Sequence, residues 1–572
     1  MVDKSAMSSN RLFRYRFHLL LAAALFSAIV LKVSLVLTDR VPFNSDEAIV
    51  ALMARHILAG EHPVFFYGQA YMGSLDAYLT AIGFYIFGYQ VWILRAVQAI
   101  LYLATIATSA LMLWKITGSR AAVVAGAWLL AIPPVNLTLY TTASLGGYGE
   151  MLLIGNLILL TTLYLADHLQ SNKRGAESLL WLSLGFLIGL GLWSFGLTLV
   201  YAFASIAFLA WILVGSRNKP LAENLDGTSR SIQHRTPVEY LSIAAGLLGF
   251  VIGAAPWLLY AVNSGIYELI EELAGGAIAG VEGLNLLEMV VRRLFNFVVL
   301  GSTVVMGLRP PWEIRWLALP LNPAALLVWS GVFVYVIRNN GMAIRNRSQT
   351  NISHLPLFAG VLVTLGIGFC LTPFGADPSG RYFLPATVVL AIMAGEALKQ
   401  WAAKYSRLIF LIVPIIITFN LWGTVQAATK YPPGLTTQFD AIAQIDHEFD
   451  AALIDFLRSA GETRGYTNYW VAYPIAFLSE EEIIYVPRLP YHEDFRYTPR
   501  DDRYPVYQEL VESSEQVAYI TTKHPALDSY LREQFSARDI SWKEKMIGDY
   551  HVFFSLSKRI EPEELGLGLE IP

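Results

Sequence analysis

Cysteine is nearly missing from this sequence: Cys370 is the only one in 572 residues, so an intrachain disulfide is excluded and cysteine usage says nothing about redox compartment. Charge is scarce too. Only 15% of residues are charged and 55% are hydrophobic, against about 25% and 45–50% in soluble domains, and the mean hydropathy is +0.47. These deficits argue against a disordered or cytosolic chain and for a polytopic membrane protein. A basic excess is absent as well, since the formal net charge is −4, and nucleic acid is excluded as a partner. No internal repeat or low-complexity segment is visible.

The small net charge hides a division. Met1 to Thr429 holds 27 Lys and Arg against 20 Asp and Glu, a net +7, whereas Lys430 to Pro572 holds 14 against 25, a net −11. The first part reads as a membrane body and the second as a soluble acidic domain. Residues 17–38 form an apolar run of the roughly 20 residues that cross a bilayer. It exceeds the roughly 7–15 apolar residues of a signal peptide, has no small-residue cleavage site and follows Lys4, Arg11, Arg14 and Arg16, so it reads as a retained anchor with the N-terminus inside. Ten further spans are expected near 92–113, 120–137, 149–168, 179–194, 197–215, 238–262, 319–337, 355–374, 382–398 and 408–427. The inner segments of this topology carry 18 Lys and Arg, among them Lys173, Arg174, Arg217, Lys219, Arg345 and Arg347; the outer loops before Lys430 carry 7: Arg40, Arg55, Arg292, Arg293, Arg309, Arg315 and Arg381. That asymmetry orients the protein. Eleven spans then place the acidic domain outside an inner (plasma) membrane.

Residues 284–308 are apolar apart from Glu288, Arg292 and Arg293 and offer a possible extra span. Adjacent arginines in mid-membrane are costly, so an interfacial helix within an outer loop at 263–318 is preferred. The acidic domain reads as mixed α/β, with helices near 437–459, 503–514 and 525–535, apolar or alternating runs at 466–478 and 483–487, and strands at 517–521 and 549–557. Glu480, Glu481 and Glu482, and the run Asp501, Asp502 and Arg503, read most simply as solvated charge.

Chemistry concentrates in the first outer loop, 39–90, which is far longer than a connection requires. Ser45 is a plausible helix cap with Asp46 and Glu47 in the first turn. The two acids either complement the helix dipole or, at a membrane boundary, take a proton from an incoming hydroxyl or hold a divalent cation against a phosphate. His56 lies roughly 80° around the same helix from Asp46, a weak metal-ligand geometry. The following PVFFYGQAYMG contains Gln69 and Tyr71, its aromatics being ordinary at an interface, and a second helix is expected from near Gly73 to Phe87. Two more outer-side segments follow. TTASLGGYGEM places Tyr148 and Glu150 at a span boundary, where an acid can also be merely solvated, and FGADPSGRYFLPA supplies Arg381 and Tyr382. A guanidinium there suits bidentate phosphate binding, or alternatively an ion pair with Asp377.

The long first outer loop with its SDEA helix start, the MARHILAG that follows, and the later SGRYFLPA before an apolar helix resemble the GT-C class of integral-membrane glycosyltransferases. The similarity is nearest to glycosyltransferase family 39 and its bacterial relatives, including protein O-mannosyltransferases and aminoarabinose transferases, and covers about 1–428. It implies a transmembrane glycosyltransferase domain at 1–428 with a soluble extracytoplasmic α/β domain at 429–572. It also implies an inverting transfer of sugar from a polyprenyl-phosphate carrier to a lipid, glycan or protein acceptor. By position, Asp46 matches the family's first outer-loop acid, a general base or metal-coordinating group, with Glu47 in support. Arg381 and Tyr382 match the RY element near the donor phosphate, and Glu150 a second outer-loop acid; Tyr148, Tyr71 and Gln69 complete the expected donor-binding set. Asp46 and His56 are the candidate ligands for a divalent cation, Mg or Mn. One departure stands out: many relatives carry a lysine near the turn between the fifth and sixth spans, where this chain reads GLGLWSFGL, with Trp193, Ser194 and Phe195. Phosphate binding would then fall to Arg381 and to Arg292, Arg293 or Lys32. The competing class is a transporter or flippase of lipid-linked sugars, which usually places ionisable groups at the midplane and shows repeats or broken helices.

Overall fold

Helices long and apolar enough to cross a bilayer dominate the structure, a computed structural model describing residues 4–171, 177–217, 237–270, 286–345, 354–377, 379–404 and 409–568. Among the described residues there are eight: Tyr15–Leu37, Val91–Thr117, Tyr148–Gln170, Glu177–Ser194, Gly196–Val214, Leu319–Gly341, Arg381–Ala402 and Leu411–Thr429. Leu241–Gly253 and Ala255–Ser264 form a bent pair, meeting at 65°, that would make a ninth; Pro256 in the first turn of the second half has no N–H to continue the ladder. Two expected spans are shorter apolar helices, Arg120–Ala131 and Leu355–Leu371. The first stops at Pro133 and Pro134, and Val135–Tyr140 resumes as a separate helix. The chain is an integral membrane protein. Lys173, Arg174, Lys219 and Arg347 of the inner segments, and residues 271–285 of the long loop, lie outside the described residues. The segment read as interfacial is helical over Leu286–Phe295 and runs through a π-helical stretch, Asn296–Gly301, into Ser302–Val305.

The chain packs as two compact units. The first comprises Met1–Val33, Ala99–Thr141 and Gly147–Thr424. Its tightest helix pair, Glu177–Ser194 with Pro237–Gly253, is built on small residues: a Cβ at Gly185 would run into the Gly246 carbonyl, and one at Gly189 into the Phe250 carbonyl. Absence of side chains lets the backbones approach, the common route to helix packing in lipid.

The second unit comprises Ser34–Gln98, Thr142–Gly146 and Val425–Pro572. Within it lie the helix Ser45–Leu58, a two-stranded hairpin of β1 (Phe65–Phe66) and β2 (Gln69–Gly73), and the helix Leu75–Phe87. A five-stranded sheet follows, formed by β3 (Arg464–Thr467), β4 (Ile484–Pro487), β5 (Ala518–Thr522), β6 (Lys543–Ile547) and β7 (Tyr550–Phe554) in the order β4-β3-β5-β7-β6. β3 is parallel to β4 and β5, and β7 is antiparallel to β5 and β6. Leu453, Leu457, Val471, Ile475, Tyr485, Ile520 and Val552 form its core, so the expected α/β character is present.

Three local expectations change. The helix read at 437–459 begins only at Asp450; before it, Thr436 and Asp440 side chains accept backbone N–H groups of Gln438 and Ile442, a local alternative to helical bonding. The run at 466–478 divides where Asn468 caps the helix Tyr469–Leu478. The strand KEKMI escaped notice because four of its five residues are exposed, which removes the alternation that marks a half-buried strand.

Candidate functional site

The helix Ser45–Leu58 is capped by Asn44, whose side chain accepts from Glu47 N–H at 3.3 Å. Ser45, read from the sequence as the cap, is instead the first helical residue, and its hydroxyl donates to the Tyr469 carbonyl. The two acids that follow have separate surroundings. Glu47 is fully buried: Oε1 accepts from Arg95 Nε at 3.2 Å and Ser144 N at 3.2 Å, and Oε2 accepts from Arg95 Nη2 at 2.9 Å. Asp76, unnoticed in the sequence, accepts at Oδ1 from Gln98 at 3.0 Å and at Oδ2 from the Ser144 hydroxyl at 2.7 Å. Glu47 and Asp76 together anchor the Thr142–Gly146 segment through Ser144.

Asp46 is half-buried. Tyr469 Oη donates to its Oδ1 at 2.7 Å and Thr437 Oγ1 to its Oδ2 at 2.9 Å. Burial, and after it the Asp46 charge, raises the Tyr469 phenol well above its ordinary value, so it remains a donor. Arg503 lies over the Tyr469 ring at 5.4 Å and donates from Nη1 to the Gly68 carbonyl at 3.0 Å. With the Gln69 amide turned so that its oxygen faces the guanidinium, Gln69 accepts from Arg503 Nη2 at 2.8 Å and Nη1 at 3.0 Å, and donates to Tyr71 at 3.2 Å. Gln69 and Tyr71 therefore sit at Arg503. Asp501 and Arg503 are only 8% and 9% exposed, which corrects their reading as solvated charge: loop 499–503 turns them inward beside Tyr473, whose hydroxyl accepts from Arg503 N at 2.6 Å and donates to Asp501 O at 2.9 Å. Burial pushes the Asp501 carboxyl up to about 7, with Arg503 opposing and Asp46 adding to the rise.

His56 meets Tyr67 Oη through Nδ1 at 3.0 Å and Glu481 Oε1 through Nε2 at 2.9 Å. Glu481 also pairs with Arg55 at 3.1 Å and is thus structural rather than merely solvated. Both His56 nitrogens are engaged, and both Asp46 oxygens face hydroxyl donors. Among the described residues no group of three or more His, Cys, Asp or Glu side chains is placed to hold a metal ion, so the donor set does not fit a cation at Asp46 and His56.

In the first unit, Arg381 forms the alternative ion pair with Asp377, Nε to Oδ2 at 2.6 Å, and its guanidinium lies 5.0 Å from the Tyr382 ring centre. Gly380 precedes it at φ +91°, where a Cβ would press on Val304 Cγ1 at 2.6 Å, and its carbonyl accepts from Asn136 at 2.9 Å. Glycine is thus required to turn Arg381 out of the chain. Glu150 is buried in the first turn of Tyr148–Ser171, and Tyr148 packs edge-on against Tyr140 and Phe195 at 4.8 and 5.0 Å. Lys32 is buried, donating to the Thr141 carbonyl and, at 2.7 Å, to its hydroxyl. Arg293 donates to the Cys370 carbonyl at 3.4 Å.

The sequence reading missed Thr437, Tyr469 and Asp501 with Arg503 as neighbours of Asp46. Only local signs were available: the Asn-Tyr-Trp helix start at 468–470, and charges at 501–503 bracketed by Pro499 and Pro505.

No family model matches the chain, and no curated protein sequence matches it. Among solved structures it is similar to ArnT from Cupriavidus metallidurans bound to undecaprenyl phosphate, at 13% sequence identity over 92% of this chain and 97% of that one, with a TM-score of 0.54. The apo state of the same protein matches at 13% identity over the same shares, with a TM-score of 0.53. The fold is therefore that of the GT-C class, as the sequence resemblance implied.

Proposed function

We propose that this protein is an inverting glycosyltransferase that moves a hexosyl or pentosyl group from a polyprenyl-phosphate carrier to a lipid, glycan or protein acceptor. The observation that carries the reading is Asp46. Its neighbour Glu47 is consumed by Arg95 and Ser144, whereas Asp46 remains half-exposed at the start of a helix, oriented by two hydroxyl donors. Similarity of fold to ArnT bound to undecaprenyl phosphate supports a lipid-phosphate donor. Loop charge supports a cytoplasmic N-terminus and an extracytoplasmic domain at 429–572.

In the proposed reaction the acceptor oxygen attacks the anomeric carbon opposite the phosphate. The bond from that carbon to the phosphate oxygen breaks, the carrier phosphate leaves with the electron pair, and the acceptor proton passes to the Asp46 carboxylate. One base suffices for this single displacement; by analogy with glycosidases, retention would need a second carboxylate as nucleophile. Arg381 and Tyr382 are assigned to the donor phosphate, where a cation stabilises the departing anion, and Glu150 and Tyr148 to the donor. No step is assigned to Mg or Mn, because the residues around Asp46 and His56 do not make a cation site.

The test is to incubate the full chain with a panel of polyprenyl-phosphate sugars, with and without Mg or Mn, and measure sugar transfer. Transfer from at least one donor is expected. Movement of lipid-linked sugar across liposomes without any transfer would favour the transporter. Arg381→Ala is expected to raise the donor KM about tenfold, the equivalent of about 1.4 kcal/mol, while the acceptor KM stays put; equal losses for both substrates would remove the donor role.

A further inference from the structure

We infer that Tyr469 and Thr437, both from the acidic C-terminal segment, are positioning residues that fix the Asp46 carboxylate in the orientation used for transfer. The inference rests on the transferase reading. It changes the role of residues after Lys430 from an appended domain to the part of the chain that holds the base.

The hydrogen-bond directions are set by the backbone. Asn44 Oδ1 accepts from Glu47 N–H, which fixes its amide and leaves Nδ2 to donate to Thr437 Oγ1 at 3.0 Å. Thr437 has a single hydroxyl hydrogen, and with Asn44 donating to it that hydrogen goes to Asp46 Oδ2 at 2.9 Å. On the other side Tyr469 Oη can reach Asp46 Oδ1 at 2.7 Å only as a donor.

Each holder is anchored independently. Thr437 follows a turn in which Gly434 sits at φ +68° against the Arg40 carbonyl, which a Cβ would meet at 2.6 Å, and Leu435 N donates to that same carbonyl at 2.8 Å. Tyr469 opens a helix whose cap, Asn468, donates to Thr522 Oγ1 of β5 at 2.9 Å, and its carbonyl accepts from Ser45. Arg503 covers its ring. The carboxylate is therefore gripped from two fixed points of the C-terminal segment. Each of its oxygens has two acceptor sites, and the Tyr469 and Thr437 bonds use one on each, which leaves capacity for an acceptor hydroxyl.

A carboxylate freed to rotate loses the preorganised geometry that a proton transfer needs. Tyr469→Phe and Thr437→Val are each expected to lower kcat about tenfold, in line with a hydrogen bond to a charged group, with KM for an undecaprenyl-phosphate sugar and binding of free undecaprenyl phosphate unchanged. Thr437→Ser, which keeps the hydroxyl, is expected to restore kcat. Wild-type kcat in either deletion variant, alongside an inactive Asp46→Asn protein, overturns the inference while leaving the transferase reading intact. Proportional loss of kcat and carrier binding overturns it too, since that marks a structural role only. If the wild-type chain transfers no sugar from any donor, the transferase reading fails instead. Thermal unfolding of Asp46→Asn, Tyr469→Phe and the double variant then decides the contact: non-additive shifts support it, and additive shifts overturn it.

Discussion

Two charge clusters in the second unit contain similar groups and reach opposite states. Around His551, Nδ1 meets Asp528 and Nε2 meets Glu544, each at 2.9 Å, and Glu544 is further held by Arg532 at 2.9 and 2.7 Å and by Trp542 at 2.8 Å. Two acids face two bases, so the cluster is balanced. Around Asp46 two acids, Asp46 and Asp501, lie in the field of one guanidinium, Arg503, and their side-chain partners are hydroxyls, those of Tyr469 and Thr437 on Asp46 and that of Tyr491 on Asp501. The first arrangement satisfies charge and holds a strand to a helix. The second leaves acid in excess beside a half-exposed carboxylate.

The sharpest way to break this contrast is to remove one acid from each cluster. Asp46→Asn is expected to lower transfer by about 10²–10⁴-fold, the usual worth of general base catalysis, with melting temperature and carrier binding near wild type. Glu544→Gln is expected to leave transfer unchanged. If both variants transfer sugar at the wild-type rate, the clusters do not differ in function.

The next largest effect concerns the residue beside Asp46. Glu47→Ala strips the partner from Arg95, a guanidinium that is itself buried, and breaking such a pair costs about 3–5 kcal/mol. Unfolding of the purified protein should register that loss. Glu47→Ala should also lower activity only in proportion to the folded fraction, whereas Asp46→Asn loses activity in folded protein.

How much of this could be read from sequence depends on the range of the interaction. Spans, the orienting charge and the helix start at 45–47 are local or periodic features, and Asp46 stood out because two adjacent acids begin a helix just after a span. The identity of its partners was not accessible: Thr437 and Tyr469 lie far away in the chain, at separations of 391 and 423 residues, and no local pattern encodes that meeting. Asp501 and Arg503 were misread for a related reason, because a charge run is usually solvated and only packing reveals that this one is buried. Asn44 displaced Ser45 as the cap because both residue types cap helices well, and the choice fell to tertiary bonds to Thr437 and Tyr469.

Each cluster should also make stability depend on pH. The folded Asp501 carboxyl, raised by burial first and then by Asp46 to about 7, well above the ordinary aspartate range, favours the protonated folded state. Its contribution to stability is present below its unfolded value and is lost as pH rises through about 7. Asp501→Asn removes that penalty, so the melting temperature of the variant should exceed wild type by more at pH 8 than at pH 5. An equal difference at both values would show that Asp501 does not titrate in this window.

His551 should give the smallest shift, and with the opposite sign for its neutral substitution. Burial alone would lower its pKa, but hydrogen bonds and charges from Asp528 and Glu544 outweigh it and raise the imidazole above its usual 6.5. A raised histidine stabilises the fold fully below the unfolded value and loses that contribution as pH climbs through the higher folded one. His551→Gln therefore destabilises most at pH 6, and the gap to wild type narrows by pH 9, where neutral asparagine at 501 gives its gain. Glu544, held at about 2 chiefly by Arg532, stays charged throughout this range, so the narrowing reports His551 alone. Thermal unfolding of both variants across pH 6–9 would decide it: a gain over wild type that widens with pH is expected for Asp501→Asn and a deficit that narrows with pH for His551→Gln, and a deficit that stays constant would show that His551 does not titrate in this window.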